Sequence, residues 1–94
     1  MHDPRPETLN WLVYILLCSD NSLYTGITTD IARRFRQHAA GHGAKYFRSR
    51  QPVEVVYREA EHSRSSASRR EAQIKALTRT EKDRLLAQQK SEAT

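Results

Sequence analysis

The chain has 94 residues, enough for one domain but too few for two domains with hydrophobic cores of their own. Its 16 Lys and Arg residues outnumber 11 Asp and Glu residues, and this net charge of +5 favours a polyanionic partner without proving one. The single cysteine, Cys18, excludes an internal disulfide, and no stretch resembles a signal peptide or a membrane span, so we expect a cytoplasmic protein without membrane association.

The first part of the chain predicts a loose tail followed by two strands. Residues 1–9 carry Pro4 and Pro6 among polar residues and are predicted as a flexible tail. Residues 11–18 are apolar on both faces of a strand, which is typical of a central strand with buried Cys18. Turn residues follow at 19–22, and residues 22–27 then read as a second strand, so the two strands form a hairpin.

The length of the hairpin loop decides which side chains share a face. A two-residue loop would pair Ser19 with Ser22 and place Tyr14 and Tyr24 on opposite faces of the sheet. A three-residue loop would instead pair Cys18 with Ser22 and place both tyrosines on one face. Such a loop requires a left-handed residue, which Asn21 tolerates. We therefore predict the three-residue loop, with a positive φ at Asn21.

The rest of the chain predicts one more strand and three helices. A helix begins after the cap residues 28–30 and ends at Gly41, and a polar loop spans residues 42–52. Residues 53–57 predict a strand, residues 63–77 a helix, and a capping box at 78–81 a last helix to about Gln88. The fold class is α+β, a small three-stranded antiparallel sheet flanked by helices in the order β-β-α-β-α-α, with a domain at 10–88 and a tail at 89–94.

Positive charge is concentrated in one part of the sequence. Residues 31–53 contain no acidic residue and carry several arginines interleaved with aromatic residues. One interpretation is an ordinary solvated surface, but basic residues beside aromatic ones favour a face that binds phosphates and bases. The candidate nucleic-acid-binding residues are Arg33, Arg36, Lys45, Tyr46, Arg48 and Arg50.

A second set of residues has the chemistry that phosphodiester hydrolysis requires, namely a base for water, a cation for the developing charge and a metal ion. Tyr14 or Tyr24 could accept a proton if positive charge lowered its pKa. Arg34 can donate two hydrogen bonds to a phosphate, and His38, one helical turn later, titrates near neutral pH. Taken singly, each of these residues is more often structural.

Glu71 lies on the same side of its predicted helix as Ala67, Ile74 and Leu77. A carboxylate on an apolar helix face is costly unless it is paired or binds a metal. The alternative is a capping box formed by Ser68 and Glu71 at the start of the helix. A helix that begins at Ser63 or Ser65 would place Glu71 in its middle and disfavour this alternative.

Taken in order, these residues resemble the GIY-YIG nuclease superfamily. Residues 12–14 and 24–26 resemble the two strand triplets of this superfamily, and they match its pattern at Tyr14, Tyr24 and Gly26. Arg34, His38 and Glu71 then follow in the order found in the family. Residues 43–46 and the segment 70–77 resemble the small stand-alone bacterial group called YhbQ-like. Two features depart from the pattern. Ile27 stands where repair nucleases carry a lysine, and no asparagine occurs in residues 81–84.

The resemblance implies a metal-dependent endonuclease that hydrolyses nucleic acid, DNA rather than RNA. In it Glu71 would hold one Mg²⁺ or Mn²⁺ ion, Arg34 would be the catalytic arginine, and Tyr14 or Tyr24, assisted by His38, would activate water. Low sequence specificity is expected, with selection by substrate structure or by a protein partner that directs the enzyme. The alternatives are a non-catalytic nucleic-acid-binding module on the same fold and, less favoured, a protein-interaction role.

Overall fold

The strands and helices of the computed structural model follow the predicted order β-β-α-β-α-α over the described residues, 8–93. Most of the predicted N-terminal tail, residues 1–7, lies outside this range, as does Thr94. The strands are β1 (Trp11–Cys18), β2 (Leu23–Thr28) and β3 (Pro52–His62), and the helices are α1 (Ile31–Ala39), α2 (Arg64–Lys75) and α3 (Arg79–Ala93). Within the described range, no helix has both the length and the apolar character needed to cross a membrane.

The hairpin has the register predicted from the three-residue loop. Leu16 pairs with Tyr24 and Tyr14 pairs with Gly26, while the Cys18 amide donates a hydrogen bond of 2.9 Å to the Ser22 carbonyl. Asn21 has a φ of 67°, in the left-handed region that closes such a loop. Tyr14 and Tyr24 consequently lie on the same face, with ring centres 6.4 Å apart.

The sheet is antiparallel, with strand order β2-β1-β3, and it has a hydrophobic cluster on each face. Val13 and Ile15 face one cluster, which α2 completes with Ala67 and Ile74. On the other face Tyr14, Leu16, Cys18 and Phe47 form the second cluster, against which Ile31 and Phe35 of α1 pack. Because β1 is covered on both faces, its sequence is apolar throughout.

Three elements differ from the sequence prediction. Strand β3 continues to His62 instead of ending at Tyr57, although residues 58–62 are polar. Helix α3 continues to Ala93 instead of ending near Gln88. Within the predicted basic loop a short 3₁₀ helix forms at Lys45–Arg48, and its Phe47 is buried.

The first two differences have a common physical basis at the edge of β3. The Arg58 amide donates a hydrogen bond of 3.2 Å to the Gln89 side chain, and the Gln89 amide group donates one of 2.6 Å to the Arg58 carbonyl. The Gln89 side chain of α3 therefore supplies the hydrogen bonds that a neighbouring strand would make to Arg58. Polar residues are tolerated in β3 because this strand lies at an edge and is half-exposed.

Candidate active site

Tyr14 occupies the centre of the site, on the face of β1 toward α1. The side chain is only 1% exposed and lies across Gly26 of the neighbouring strand. A Cβ atom on residue 26 would lie 2.5 Å from the Tyr14 hydroxyl oxygen, which is too close for any side chain. Gly26 is therefore needed because the phenol of Tyr14 packs directly against its backbone.

A chain of hydrogen bonds leads from Tyr14 through His38 to the loop after α1. The Tyr14 hydroxyl oxygen lies 2.9 Å from Nε2 of His38, and Nδ1 of His38 lies 3.2 Å from the His42 carbonyl oxygen. A carbonyl oxygen only accepts, so Nδ1 carries the proton. In the neutral ring Nε2 then accepts the hydrogen bond that the Tyr14 hydroxyl donates.

The surroundings keep both partners of this hydrogen bond uncharged. Burial raises the pKa of Tyr14 to about 12, and the nearby Glu71 carboxylate contributes to the rise, while a hydrogen bond and the positive charge of Arg34 oppose it. Burial also lowers the pKa of His38, with a smaller contribution in the same direction from Arg34. At neutral pH the pair is therefore a phenol and a neutral imidazole.

Arg34 approaches Tyr14 from α1, whose first turn is capped by the Asp30 carboxylate. Its guanidinium donates a hydrogen bond of 3.1 Å to the side chain of Gln37. Its Nε is buried and has no hydrogen-bond partner among residues 8–93. A buried N–H without a partner costs about 1–3 kcal/mol, so this donor is suited to an acceptor that a ligand would bring.

Tyr24 belongs to the same cluster but is more accessible than Tyr14. Its ring is partly exposed and lies edge-on to the His38 ring, with centres 5.3 Å apart. Its hydroxyl makes no hydrogen bond to another described residue, whereas that of Tyr14 is bound to His38. The cluster therefore contains one phenol held inside the protein and one whose hydroxyl is free to meet a ligand.

Glu71 lies on α2, the helix that packs on the opposite face of the sheet. The capping box at the start of α2 is formed by Ser63 and Ser66, so Glu71 lies in the middle of the helix rather than at its start. Its side chain is 24% exposed and forms an ion pair of 3.4 Å with Lys75. Its negative charge contributes to the raised pKa of Tyr14, so the carboxylate lies within electrostatic range of that residue.

The predicted nucleic-acid-binding residues lie on α1 and on the loop and 3₁₀ helix that follow it. Four of them are exposed and form no ion pair with other residues between 8 and 93; they are Arg33, Arg36, Lys45 and Arg48. Arg50 differs, because it pairs with Asp20 at 2.6 Å and lies over the Tyr46 ring at 4.1 Å. The Tyr46 hydroxyl donates a hydrogen bond to Ser22.

Sequence analysis did not identify three further residues that shape the site. Phe47 stacks on the His38 ring, with centres 4.1 Å apart. Gly43 has a φ of 93°, and a Cβ atom there would lie 3.1 Å from the Arg34 guanidinium and 3.3 Å from the His38 ring. Gln37 holds the Arg34 guanidinium. A glycine next to the basic loop was a signal for Gly43, whereas Phe47 and Gln37 are recognisable only from their contacts.

Glu71 is the candidate metal ligand, and it stands apart from other metal-binding side chains. In the described part of the chain, no three His, Cys, Asp or Glu residues are grouped closely enough to hold an ion. Mg²⁺ is commonly bound by one or two carboxylates, with water and substrate phosphates as the remaining ligands. A single half-buried carboxylate beside a cationic site fits an ion of that kind and does not fit a zinc site with several protein ligands.

Comparison with known proteins agrees with this arrangement. The family model described as the GIY-YIG catalytic domain matches residues 10–84. UPF0213 protein DP2720 of Desulfotalea psychrophila is 54% identical over 85 residues, which cover 87% of this chain and 77% of that protein. UPF0213 protein NP_0776A of Natronomonas pharaonis is 53% identical over 75 residues, which cover 80% of this chain and 88% of that protein.

Two solved structures are also similar. The solution NMR structure of UPF0213 protein BH0048 from Bacillus halodurans matches with a TM-score of 0.53 and 47% identity, covering 82% of each chain. That of protein EF2693 from E. faecalis matches with a TM-score of 0.59 and 40% identity, covering 87% of this chain and 88% of that one. The match to the family model and the identity to these relatives show that the chain belongs to the GIY-YIG catalytic domain family, among the small UPF0213 proteins.

Proposed function

We propose that this protein is a metal-dependent endonuclease that hydrolyses phosphodiester bonds of nucleic acid, DNA in preference to RNA, with low intrinsic sequence specificity. The observation that carries the proposal is the convergence of Tyr14, Tyr24, Arg34 and His38 on one face of the sheet, with the Glu71 carboxylate within electrostatic range of Tyr14. The match to the GIY-YIG catalytic domain family supports phosphodiester hydrolysis as the class of reaction.

Arg34 stabilises the negative charge that develops on the phosphate during attack. Its guanidinium stays charged at all relevant pH values and can donate two parallel hydrogen bonds to phosphate oxygens. The buried Nε without a protein partner supports this role, because a phosphate oxygen would satisfy it. Gln37 and Gly43 position the guanidinium, the first by a hydrogen bond and the second by allowing the loop to approach closely.

Tyr24 is the phenol that meets the attacking water. Its partial exposure and unbound hydroxyl favour it over Tyr14, which is only 1% exposed and donates a hydrogen bond to His38. Tyr14 and His38 then act as positioning residues that hold the Tyr24 and Arg34 side chains in place. To take the proton of the attacking water, Tyr24 must act as the phenolate, and the positive charge of Arg34 would stabilise that anion.

Glu71 holds the divalent ion, Mg²⁺ or Mn²⁺. When bound, such an ion polarises a phosphate oxygen and increases the acidity of water. The carboxylate has one charged partner, the more exposed Lys75, which can move away because its side chain is flexible.

The test is a cleavage assay with purified protein on single-stranded, duplex and branched DNA and on RNA, with Mg²⁺, Mn²⁺ or EDTA. We expect metal-dependent cleavage that is strongest on DNA and that disappears in Glu71→Gln. Glu54→Gln is the matched control, because Glu54 is exposed on β3 and away from the site. A folded Glu71→Gln protein that cuts as fast as wild type would contradict the metal assignment. Tight DNA binding without cleavage by any metal would instead favour the non-catalytic binding module.

A further inference from the structure

A cleft lies next to the candidate active site, between the open end of the β1–β2 hairpin and the first two turns of α1. Its volume is about 260 Å³, and its lining includes Trp11, Thr28, Asp30, Arg33, Arg34 and Gln37. At roughly 30 Å³ per water molecule, the cleft has room for roughly nine waters. This is sufficient for one planar base.

We propose that this cleft holds one unpaired nucleotide directly beside the phosphate that is cut. The inference rests on the proposed nuclease function and narrows its substrate class to nucleic acid with an unpaired base next to the cleaved bond. A base in a duplex would have to leave its stack before it could enter, and that step has an energetic cost.

The lining of the cleft has the groups that bind a nucleotide without reading its identity. Trp11 is half-buried, packs against the core cluster of Val13 and Ile15, and has the Arg64 guanidinium 5.7 Å from its ring centre. The part of the ring that lines the cleft can stack on a base, and such stacking is sequence-tolerant because every base has a π-face. Arg33 is exposed and has no ion pair within residues 8–93, so its charge is available to a phosphate. The one acidic group in the lining, Asp30, accepts the backbone N–H of Arg33 at 3.0 Å as the helix cap.

Arg34 connects the cleft to the site of cleavage. Its guanidinium acts on Tyr14 in the candidate active site, and the same residue lines the cleft. Gln37, another lining residue, accepts a hydrogen bond of 3.1 Å from this guanidinium and keeps its own amide N–H donors for a ligand. A phosphate on Arg34 would therefore have its neighbouring nucleotide at the mouth of the cleft.

The chain contains a single tryptophan, so the fluorescence of Trp11 reports directly on this cleft. The position of the cut is first mapped in a labelled single-stranded oligonucleotide. Two versions of this oligonucleotide are then made, each of which lacks the base on one side of the cut. An oligonucleotide with its abasic position several nucleotides away is the matched control. If the protein does not cut the oligonucleotide, the abasic position is moved along it one nucleotide at a time, and only binding is measured.

We expect the intact oligonucleotide to quench Trp11 fluorescence. Removing the base on one flank should abolish the quenching and weaken binding by about tenfold, whereas the distant abasic position should do neither. With a labelled oligonucleotide, Trp11→Phe should bind nearly as well as wild type and Trp11→Leu about tenfold more weakly. If Trp11→Leu fails to fold, the comparison of abasic oligonucleotides on wild-type protein is sufficient.

Failure of this inference differs from failure of the proposed function. Metal-dependent cleavage with unchanged Trp11 fluorescence, or with equal effects of flanking and distant abasic positions, would overturn the nucleotide cleft and leave the nuclease intact. Position-dependent quenching without cleavage by Mg²⁺ or Mn²⁺ would support the cleft and overturn the nuclease. Equal cleavage of a fully paired duplex and of the same duplex with one unpaired base at the cut would overturn the substrate class.

Discussion

At the scale of single residues, Tyr14 and Tyr24 are the same side-chain type in two environments, one buried and one partly exposed. We expect Tyr14→Phe to lower the free energy of unfolding by about 1–3 kcal/mol, because Nε2 of buried His38 would lose the hydrogen bond that Tyr14 donates. Tyr24→Phe should change stability by less than about 0.5 kcal/mol and should greatly reduce kcat. Denaturant unfolding and single-turnover cleavage measure the two effects.

The opposite pattern would reverse the assignment of the two tyrosines. If Tyr24→Phe cut at the wild-type rate while folded Tyr14→Phe lost activity, Tyr14 would be the base, and His38 would accept its proton.

The burial of His38 predicts that the stability of the protein depends on pH. The pKa of this residue in the folded protein is lowered from the usual 6.5, mainly by burial, so the unfolded chain binds a proton at a higher pH than the folded protein does. The free energy of unfolding should therefore be constant above about pH 7 and fall as the pH drops below about 6.5. Denaturant unfolding from about pH 8 to about pH 5.5 measures this slope.

Two variants separate His38 from the other groups that titrate. His38→Gln should remove most of the slope near pH 6. His42→Gln should keep it, because residue 42 is exposed and contributes its backbone carbonyl to the hydrogen bond. A slope unchanged in His38→Gln would assign the effect to another group.

At the scale of structural elements, the hairpin loop determines whether the two tyrosines share a face. Asn21 has a φ of 67°, which glycine adopts without strain and β-branched residues strongly disfavour. We expect Asn21→Gly to be neutral or slightly stabilising and Asn21→Val to destabilise by about 1–2 kcal/mol. Thermal unfolding of both variants tests this, and equal stability of Val and Gly at this position would contradict the left-handed loop.

The contact between α3 and β3 makes a second prediction at this scale. Gln89→Ala removes two hydrogen bonds to the backbone of Arg58 and should lower the free energy of unfolding by about 1–2 kcal/mol. Gln88→Ala is the matched control, because Gln88 neighbours it on the same helix and is exposed. Hydrogen exchange should show the loss locally, at the amide of Arg58, and equal protection in the two variants would contradict the role of Gln89.

At the scale of the whole molecule, the proposed function assigns binding and catalysis to different arginines. In the double variant Arg36→Ala/Arg48→Ala, the magnitude of the slope of log affinity against log salt concentration should decrease by about 2. The cleavage rate at saturating substrate should change little. Arg34→Ala should instead lower kcat on the order of a hundredfold. Arg84→Ala on α3 is a control for net charge. Equal losses of affinity and rate in Arg34→Ala would make Arg34 an ordinary phosphate contact.

The sequence was sufficient to predict the order of elements and the hairpin register, for identifiable reasons, whereas the roles of the site residues stay predictions. The strand at Trp11–Cys18 is apolar on both faces, and the hairpin register follows from Asn21, so both were confirmed. The far half of β3 was missed because its residues are polar and find partners that the sequence pattern does not show: Glu59 bonds Arg70 of α2, and the Arg58 backbone bonds Gln89, 31 residues away along the chain. The hydrogen bond from Tyr14 to His38 was missed because it depends on where the loop at Gly43 brings the His42 carbonyl.

The Gln89 contact with Arg58 has a further consequence, for self-association. A sheet with order β2-β1-β3 has two edges, and an exposed edge can recruit a strand from another molecule. By bonding to both backbone groups of Arg58, Gln89 occupies a position where such a strand would dock. Loss of the end of α3 from Gln89 onward should therefore appear first as concentration-dependent oligomers or aggregates, at temperatures where the monomer is still folded.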